Sequence, residues 1–239
     1  MGGWSSSVGA LLGVRCPACT QARIQAHQQL CAGCRPLLAD VGCDPDLLWG
    51  PTQPVEVAPF PPGLACGEYQ GSLRRMILQA KQGPSTAALP VLRRQLLHAI
   101  RARKLPPGHL IAPPASRLRR WQGWHLADEL AQSLAQRLGW PTLRPLRRRR
   151  ERPPQAGLGA GARRINLAGS FAWRQAGGVQ RAAQRRPLRR VYLIDDVLTT
   201  GATFRECARL FQQAGVEEVR PVVLAWVPDQ LAASSPAQH

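Results

Sequence analysis

Acidic residues are scarce in this chain of 239 residues: 14 stand against 32 lysines and arginines, for a net charge of +18. That balance excludes an acidic surface and points to polyanionic partners. Lysine is scarcer still. Only Lys81 and Lys104 are present, so the positive charge is almost all arginine; with 22 glycines and 22 prolines, part of that excess fits a GC-rich genome. Long apolar runs are missing, which excludes a membrane-spanning helix. Residues 1–14 lack the charged start and long apolar stretch of a signal peptide. These absences predict a cytoplasmic protein with no membrane insertion. In a reducing compartment the seven cysteines are not expected to form disulfides. At 44 % hydrophobic residues the chain is of globular type, long enough for one α/β domain with an appendage or for two small domains.

Four cysteines are regularly spaced. Cys16-Pro-Ala-Cys19 and Cys31-Ala-Gly-Cys34 are two C-x2-C pairs with eleven residues between them. Tetrahedral zinc held by four thiolates needs two such knuckles, and Pro17 and Gly33 suit their tight turns. The alternatives are four free thiols in a loop or a redox pair. A set of four leaves no open coordination position, so the expected zinc is structural. Residues 1–40 are therefore read as a zinc-ribbon-like module. Cys43, Cys66 and Cys207 stand apart and read as small packing residues. Residues 41–64, rich in Pro, Gly and Asp, read as a connector.

The most informative stretch is Val191-Tyr-Leu-Ile-Asp-Asp-Val-Leu-Thr-Thr-Gly-Ala-Thr203. Val191 to Ile194 has the pattern of a buried parallel strand; it ends in Asp195 and Asp196. A loop of Thr199, Thr200, Gly201, Ala202 and Thr203 follows, and then an amphipathic helix. A helix start offers backbone N–H groups and the positive end of its dipole to a phosphate. The threonines add hydroxyl donors, and Gly201 permits a close approach or a positive φ. Two upstream carboxylates suit the vicinal hydroxyls of a sugar. Together they describe a site for ribose 5-phosphate. The plainer alternative is a strand-to-helix turn in which Asp and Thr serve only as caps.

Elsewhere, apolar periodicity predicts helices over 69–81, 86–103 and 126–138, and strands near 110–112 and 219–227. Residues 144–166 are basic and lack apolar periodicity, so they read as either a disordered loop or a functional lid. Between Glu151 and Asp195 there is no acidic residue. Trp121, Trp124 and Trp173 lie near arginines, a combination that suits base stacking as well as packing. Alternating strands and helices predict an α/β fold, a doubly wound parallel sheet with ligands at the carboxyl ends of its strands. It would occupy 65–229, with 230–239 a disordered tail.

The Asp195–Thr203 string resembles the signature of type I phosphoribosyltransferases, which bind phosphoribosyl pyrophosphate (PRPP). That resemblance implies a type I phosphoribosyltransferase-like fold, with Asp195 and Asp196 at the ribose hydroxyls and Thr199 to Thr203 at the 5-phosphate. The wider order of elements resembles the ComF/GntX family: zinc knuckles, Tyr69-x-Gly71 with Lys81 beyond, Pro113, and Arg150, Gln155, Leu158, Asn166 and Phe171 at the family's spacing. The resemblance covers about 14–227. It departs at Gln122-Gly-Trp-His-Leu126, where the family has Arg-Gly-Phe-Asn-Gln, and at Arg152, where it has threonine.

By that resemblance, Pro113 to Ser116 would receive pyrophosphate and 144–166 would be the lid. Lys81, Arg117, Arg150, Arg163 and Arg164 would supply cations, beside Gln155 and Asn166. Mg²⁺ would accompany PRPP. The family link implies a role in competence and DNA uptake, with single-stranded DNA and a helicase-like protein as partners. Two other roles stand beside it: a PRPP or nucleotide sensor without turnover, and an orphan phosphoribosyltransferase acting on a base or amine.

Overall fold

The apolar run at 191–194 builds the centre of a sheet in the computed structural model, which describes residues 14–25, 28, 30–35, 61–115, 123–149, 169–174 and 188–227. Strand β7 (Arg190–Leu198) sends Tyr192 and Ile194 into one apolar cluster, and Val191 and Leu193 into another. It is buried almost throughout because both faces are covered. Its neighbours are β8 (Glu218–Trp226) on one side and β4 (His109–Ile111) on the other, and β3 (Leu64–Ala65) lies beyond β8. All three pairings are parallel, with Ile194 opposite Val222 and Leu110 opposite Tyr192.

One face is covered by α1 (Gly71–Ala80), α2 (Ala88–Ala102) and α3 (Leu126–Leu138). The other is covered by α4 (Ala202–Gln213), together with the antiparallel pair β5 (Leu146–Arg148) and β6 (Phe171–Trp173). This is the α/β, doubly wound parallel arrangement expected from the sequence. Helix α3 buries Leu126, Ala127, Leu130, Ala131 and Leu134, the stripe that a 3.6-residue period produces. It stops where Gly139 turns left-handed (φ 68) and donates its N–H to the Ala135 carbonyl, a glycine C-cap.

Three boundaries differ from the sequence expectation. Strand β7 does not end at the acidic pair. It runs on to Leu198, with Asp195 opposite Val223 and Leu198 opposite Trp226, because the apolar run of β8 continues the ladder. Residues 144–166 do not begin as a loop: Leu146–Arg148 pairs with Phe171–Trp173. Consecutive arginines hide that strand's period, since Leu146 alone is deeply buried and the Arg148 guanidinium lies 5.3 Å over the Phe171 ring. Leu64, placed in the connector, pairs with Val222 as part of β3.

At the amino-terminal end, β1 (Val14–Arg15) and β2 (Arg23–Ile24) form a small antiparallel hairpin. It is seated on α1. Arg75 Nε donates to the Ala18 carbonyl at 2.8 Å, and Gln79 Nε2 to the Pro17 carbonyl at 3.2 Å. Cys16, Ala18, Ile24, Leu30 and Cys34 join the same apolar cluster as Leu73, Met76 and Ile77. Among the described residues no helix is long and apolar enough to cross a membrane.

Candidate functional site

Strands β4 and β7 run in parallel, with Ile111 at the end of β4 opposite Leu193; β4 leads into a proline-bearing segment, and β7 runs on to Leu198 and into a polar loop. After β4 comes Pro113, which is buried. After β7 comes Thr199-Thr200-Gly201, and Gly201 (φ 70, ψ 4) is the N-cap of α4. A side chain at that φ would be strained, so glycine suits the turn. Thr199 is exposed, and Thr200, Ala202 and Thr203 are half-buried. The first backbone N–H groups of a helix have no partner within it; here that of Ala202 makes a long contact, 3.4 Å, to Thr200 Oγ1. Arg205 braces the turn by donating from its guanidinium to the Thr200 carbonyl.

Lys81 follows the last turn of α1 and reaches the acidic pair. Its Nζ lies 3.0 Å from Asp196 Oδ1, with the two side chains 21 % and 9 % exposed. The Asp196 N–H donates to Asp195 Oδ1 at 2.8 Å. Burial, and then the neighbouring Asp196 charge, push the Asp195 carboxyl up to about 6. The Asp196 N–H and the positive charges of His125 and Lys81 pull the other way without prevailing. A carboxyl so perturbed at the ligand edge of a parallel sheet has the physical marks of a functional group.

Of the residues singled out from sequence, Lys81, Pro113, Asp195, Asp196 and Thr199 to Thr203 thus sit at the carboxyl edge of the sheet or beside it. Ser116, Arg117, Arg150, Gln155, Arg163, Arg164 and Asn166 lie outside the described residues, as do Trp121 and residues 230–239. Trp173 packs edge-on against Phe211 with ring centroids 5.4 Å apart. The Trp124 indole N–H donates to the Ala80 carbonyl at 2.8 Å.

Sequence reasoning missed Glu206. Only 5 % exposed on α4, it accepts from the Gly169 N–H at 2.8 Å and from the Arg209 guanidinium at 2.9 and 3.0 Å. These bonds, led by that to Arg209, hold its carboxyl below the usual range. Glu206 ties the helix after the Thr-Thr-Gly loop to the chain entering β6. Its signal, an acid three residues before an arginine, looks in sequence like an ordinary helix-surface pair.

The four amino-terminal cysteines converge. The Sγ atoms of Cys16, Cys19, Cys31 and Cys34 all lie within 4.8 Å of one another, and those of Cys19 and Cys31 are 3.9 Å apart. Zn–S bonds of about 2.3 Å in a tetrahedron require S–S separations of about 3.8 Å, so the tetrad fits a four-thiolate metal ion. Backbone donors already favour two thiolates: N–H groups of Ala22 and Gln21 lead in holding Cys19 down at about 6, and Cys16 is lowered by several such bonds despite the opposing effect of burial. Cys66 and Cys207 are buried in the two apolar clusters, and burial pushes the Cys207 thiol up.

A cleft of about 310 Å³ opens nearby, between Ala115 after β4, the first turns of α3, and Arg144. Within it His125 Nδ1 lies 3.1 Å from Asp128 Oδ2, and Arg144 Nε lies 3.2 Å from Asp128 Oδ1.

No family model matches the chain. Among curated proteins it is similar to the competence protein F of Haemophilus influenzae, at 37 % identity over 119 residues. The match takes in 49 % of this chain and 49 % of that protein, so the chain spans about half the length of the relative it matches. Among solved structures, one described as the allosteric regulatory enzyme of purine biosynthesis overlaps 57 % of this chain and 26 % of its own. Its TM-score is 0.35 at 15 % identity, a likeness too slight to bear on function.

Proposed function

We propose that this chain is a phosphoribosyltransferase-like protein of the ComF family that binds PRPP or a related phosphoribosyl ligand at the Asp195–Thr203 edge. One observation carries the reading: Lys81, remote in sequence, meets Asp196 at 3.0 Å beside a helix whose N-cap is a left-handed glycine. A sugar phosphate has the complementary chemistry. Its phosphate takes the N–H groups of the first turn of α4 and the threonine hydroxyls, and its vicinal hydroxyls donate to Asp195 and Asp196. Lys81 holds the Asp196 side chain in place for that purpose. Mg²⁺ enters with the ligand's pyrophosphate. Zinc is the metal that best matches four thiolates, with Cys16, Cys19, Cys31 and Cys34 holding it in a structural role. Titration calorimetry of the intact protein with PRPP and Mg²⁺ tests the reading; heat of binding that is lost in Asp196→Asn supports it, and absence of heat overturns it.

Similarity to a competence protein supports a role in competence, and the basic composition suits contact with single-stranded DNA; a cytoplasmic location and a helicase-like protein partner complete the proposal. The charge is unevenly available. At the amino-terminal edge of the sheet Arg189 pairs with Glu217 at 3.2 Å, and Arg190 with Glu218 at 2.8 Å. Arg147 on β5 and Arg149 just after it, by contrast, are exposed. Anisotropy of a labelled single-stranded oligonucleotide tests this part. Phosphate contacts require an affinity that falls steeply with salt, and a salt-insensitive signal refutes them.

A further inference from the structure

We propose that metal occupancy of the four cysteines and ligand occupancy of the Asp195–Thr203 edge are coupled through α1, with Arg75 as the positioning residue that carries the coupling. The proposal rests on the phosphoribosyl reading of that edge and names a regulator of it: a thiophilic divalent cation in the hairpin seated on the helix that leads to Lys81.

Helix α1 grips the inside of the first knuckle. Pro17 and Ala18 are the two residues between Cys16 and Cys19, so the placing of their carbonyls follows from both cysteines holding one ion. Those are the carbonyls that α1 holds: Ala18 accepts from Arg75 Nε at 2.8 Å, and Pro17 from Gln79 Nε2 at 3.2 Å. Residues 75 and 79 share one face of the helix. Lys81 follows two residues later, and its Nζ lies 3.0 Å from Asp196 Oδ1. A path of direct contacts thus runs from the cysteines to the acidic pair.

Neither partner in that path is stable by itself. The hairpin consists of two strands of two residues each, far short of what holds a hairpin together in water. Helix α1 has ten residues, fewer than an isolated helix needs. Its Leu73, Met76 and Ile77 lie in one apolar cluster with Cys16, Ala18 and Ile24, so each element depends on the other. Removing the metal releases the knuckle, the knuckle releases Arg75 and Gln79, and the helix end that presents Lys81 loosens. A ligand that needs Asp196 held by Lys81 then binds only the fraction of molecules in which α1 is seated.

Two observations bound the size of the effect. The carbonyl of Ala80 is also held, by the Trp124 indole N–H at 2.8 Å, so the end of α1 is loosened and not lost. The coupling passes through Lys81, so it cannot exceed the loss caused by removing the Lys81 ammonium itself. An effect of about 5- to 20-fold on affinity satisfies both limits and lies in the usual range for coupled sites. Linkage is reciprocal, so the ligand must tighten metal binding by the same factor.

The test titrates the intact zinc-loaded protein with PRPP and Mg²⁺, and repeats the titration after zinc has been removed by a chelator and the chelator dialysed away. Affinity should be weaker by the stated factor without zinc. In the loaded protein, saturating PRPP should lower the transfer of zinc to a competing chromogenic chelator by that same factor, and should not do so in Asp196→Asn. This second measurement is made on folded, loaded protein and so stands even if zinc-free protein unfolds. Arg75→Met in the loaded protein should also weaken PRPP binding, and in a Lys81→Met background should weaken it no further, the non-additivity of residues acting along one path. A merely structural arginine would add its loss in both backgrounds. Equal PRPP affinity with and without zinc, or zinc transfer indifferent to PRPP, overturns the coupling and leaves the sugar site standing. Losses that add in the double variant overturn the role of Arg75. If the loaded protein binds no PRPP, the sugar reading falls and the coupling falls with it; a chain that takes up no zinc likewise overturns the proposal.

Discussion

Replacing Asp195 by asparagine should make the ligand-free protein more stable at neutral pH while weakening its hold on the sugar. The carboxyl is pushed from 3.8 up to about 6, first by burial and second by Asp196. A raised folded-state value means that the folded chain keeps a proton the unfolded chain has already released. Its contribution to stability is therefore fully present below about pH 4 and is lost as pH rises through about 6. At about 1.4 kcal/mol for each tenfold change in acidity, that rise corresponds to about 3 kcal/mol. Because Asp195 is partly exposed, solvent screening trims this to about 2–3 kcal/mol. Asparagine has no charge to desolvate and still offers an oxygen to the Asp196 N–H, which now donates to Asp195 Oδ1.

Asp195→Asn should thus gain about 2–3 kcal/mol at pH 8, about half that at pH 5, and almost nothing near pH 4. In a chain of this size the gain at pH 8 amounts to about 5–10 °C in Tm. Urea unfolding of parent and variant at the three pH values measures it, and protonation of the four clustered cysteines affects both proteins alike. PRPP affinity should meanwhile fall at least about tenfold, the pattern of a residue kept for function at the expense of stability. A variant less stable than the parent at pH 8, or a gain independent of pH, would refute the reasoning.

Lys81→Met keeps the side-chain stem but removes the ammonium beside Asp196; calorimetry should show PRPP binding weakened about 10- to 100-fold, as expected for a charge-assisted contact, and Asp195 should titrate higher than in the parent. Atomic absorption should find one zinc per chain, and removing it with a chelator should raise hydrogen exchange in residues 71–80, because Arg75 and Gln79 are held by carbonyls of the first knuckle. Gly63→Ala should destabilise by about 1–3 kcal/mol in denaturant unfolding, since a Cβ there would meet the Pro221 carbonyl oxygen and ring, with Cδ at 2.7 Å.

The parts legible from sequence were those whose residues act locally. Helix α3 falls at Leu126–Leu138 as its apolar period and Gly139 indicate. Strand β7 is readable because four consecutive large apolar residues need cover on both sides. Two features were not legible. The meeting of Lys81 with Asp196 depends on α1 crossing toward the sheet edge, a long-range event with no local pattern. The His125–Asp128 pair is an i,i+3 contact at the start of a helix, and in sequence it looks like common N-terminal charge. Strand β5 stayed hidden for a different reason: in Leu146-Arg-Arg148 only one residue is apolar, and the pairing is carried by backbone and by the Arg148–Phe171 contact.

The seating of the cysteine hairpin on α1 governs how this protein can be dissected. Cys16, Ala18, Ile24 and Leu30 share one buried cluster with Leu73, Met76 and Ile77. A shortened version starting after the cysteines would therefore not be a clean catalytic or binding core. It would carry an apolar stripe along α1 opened to water, of the kind that drives self-association, and two side chains, Arg75 and Gln79, without their carbonyl partners. The helix that delivers Lys81 needs the hairpin as its roof, and expression should keep the two together.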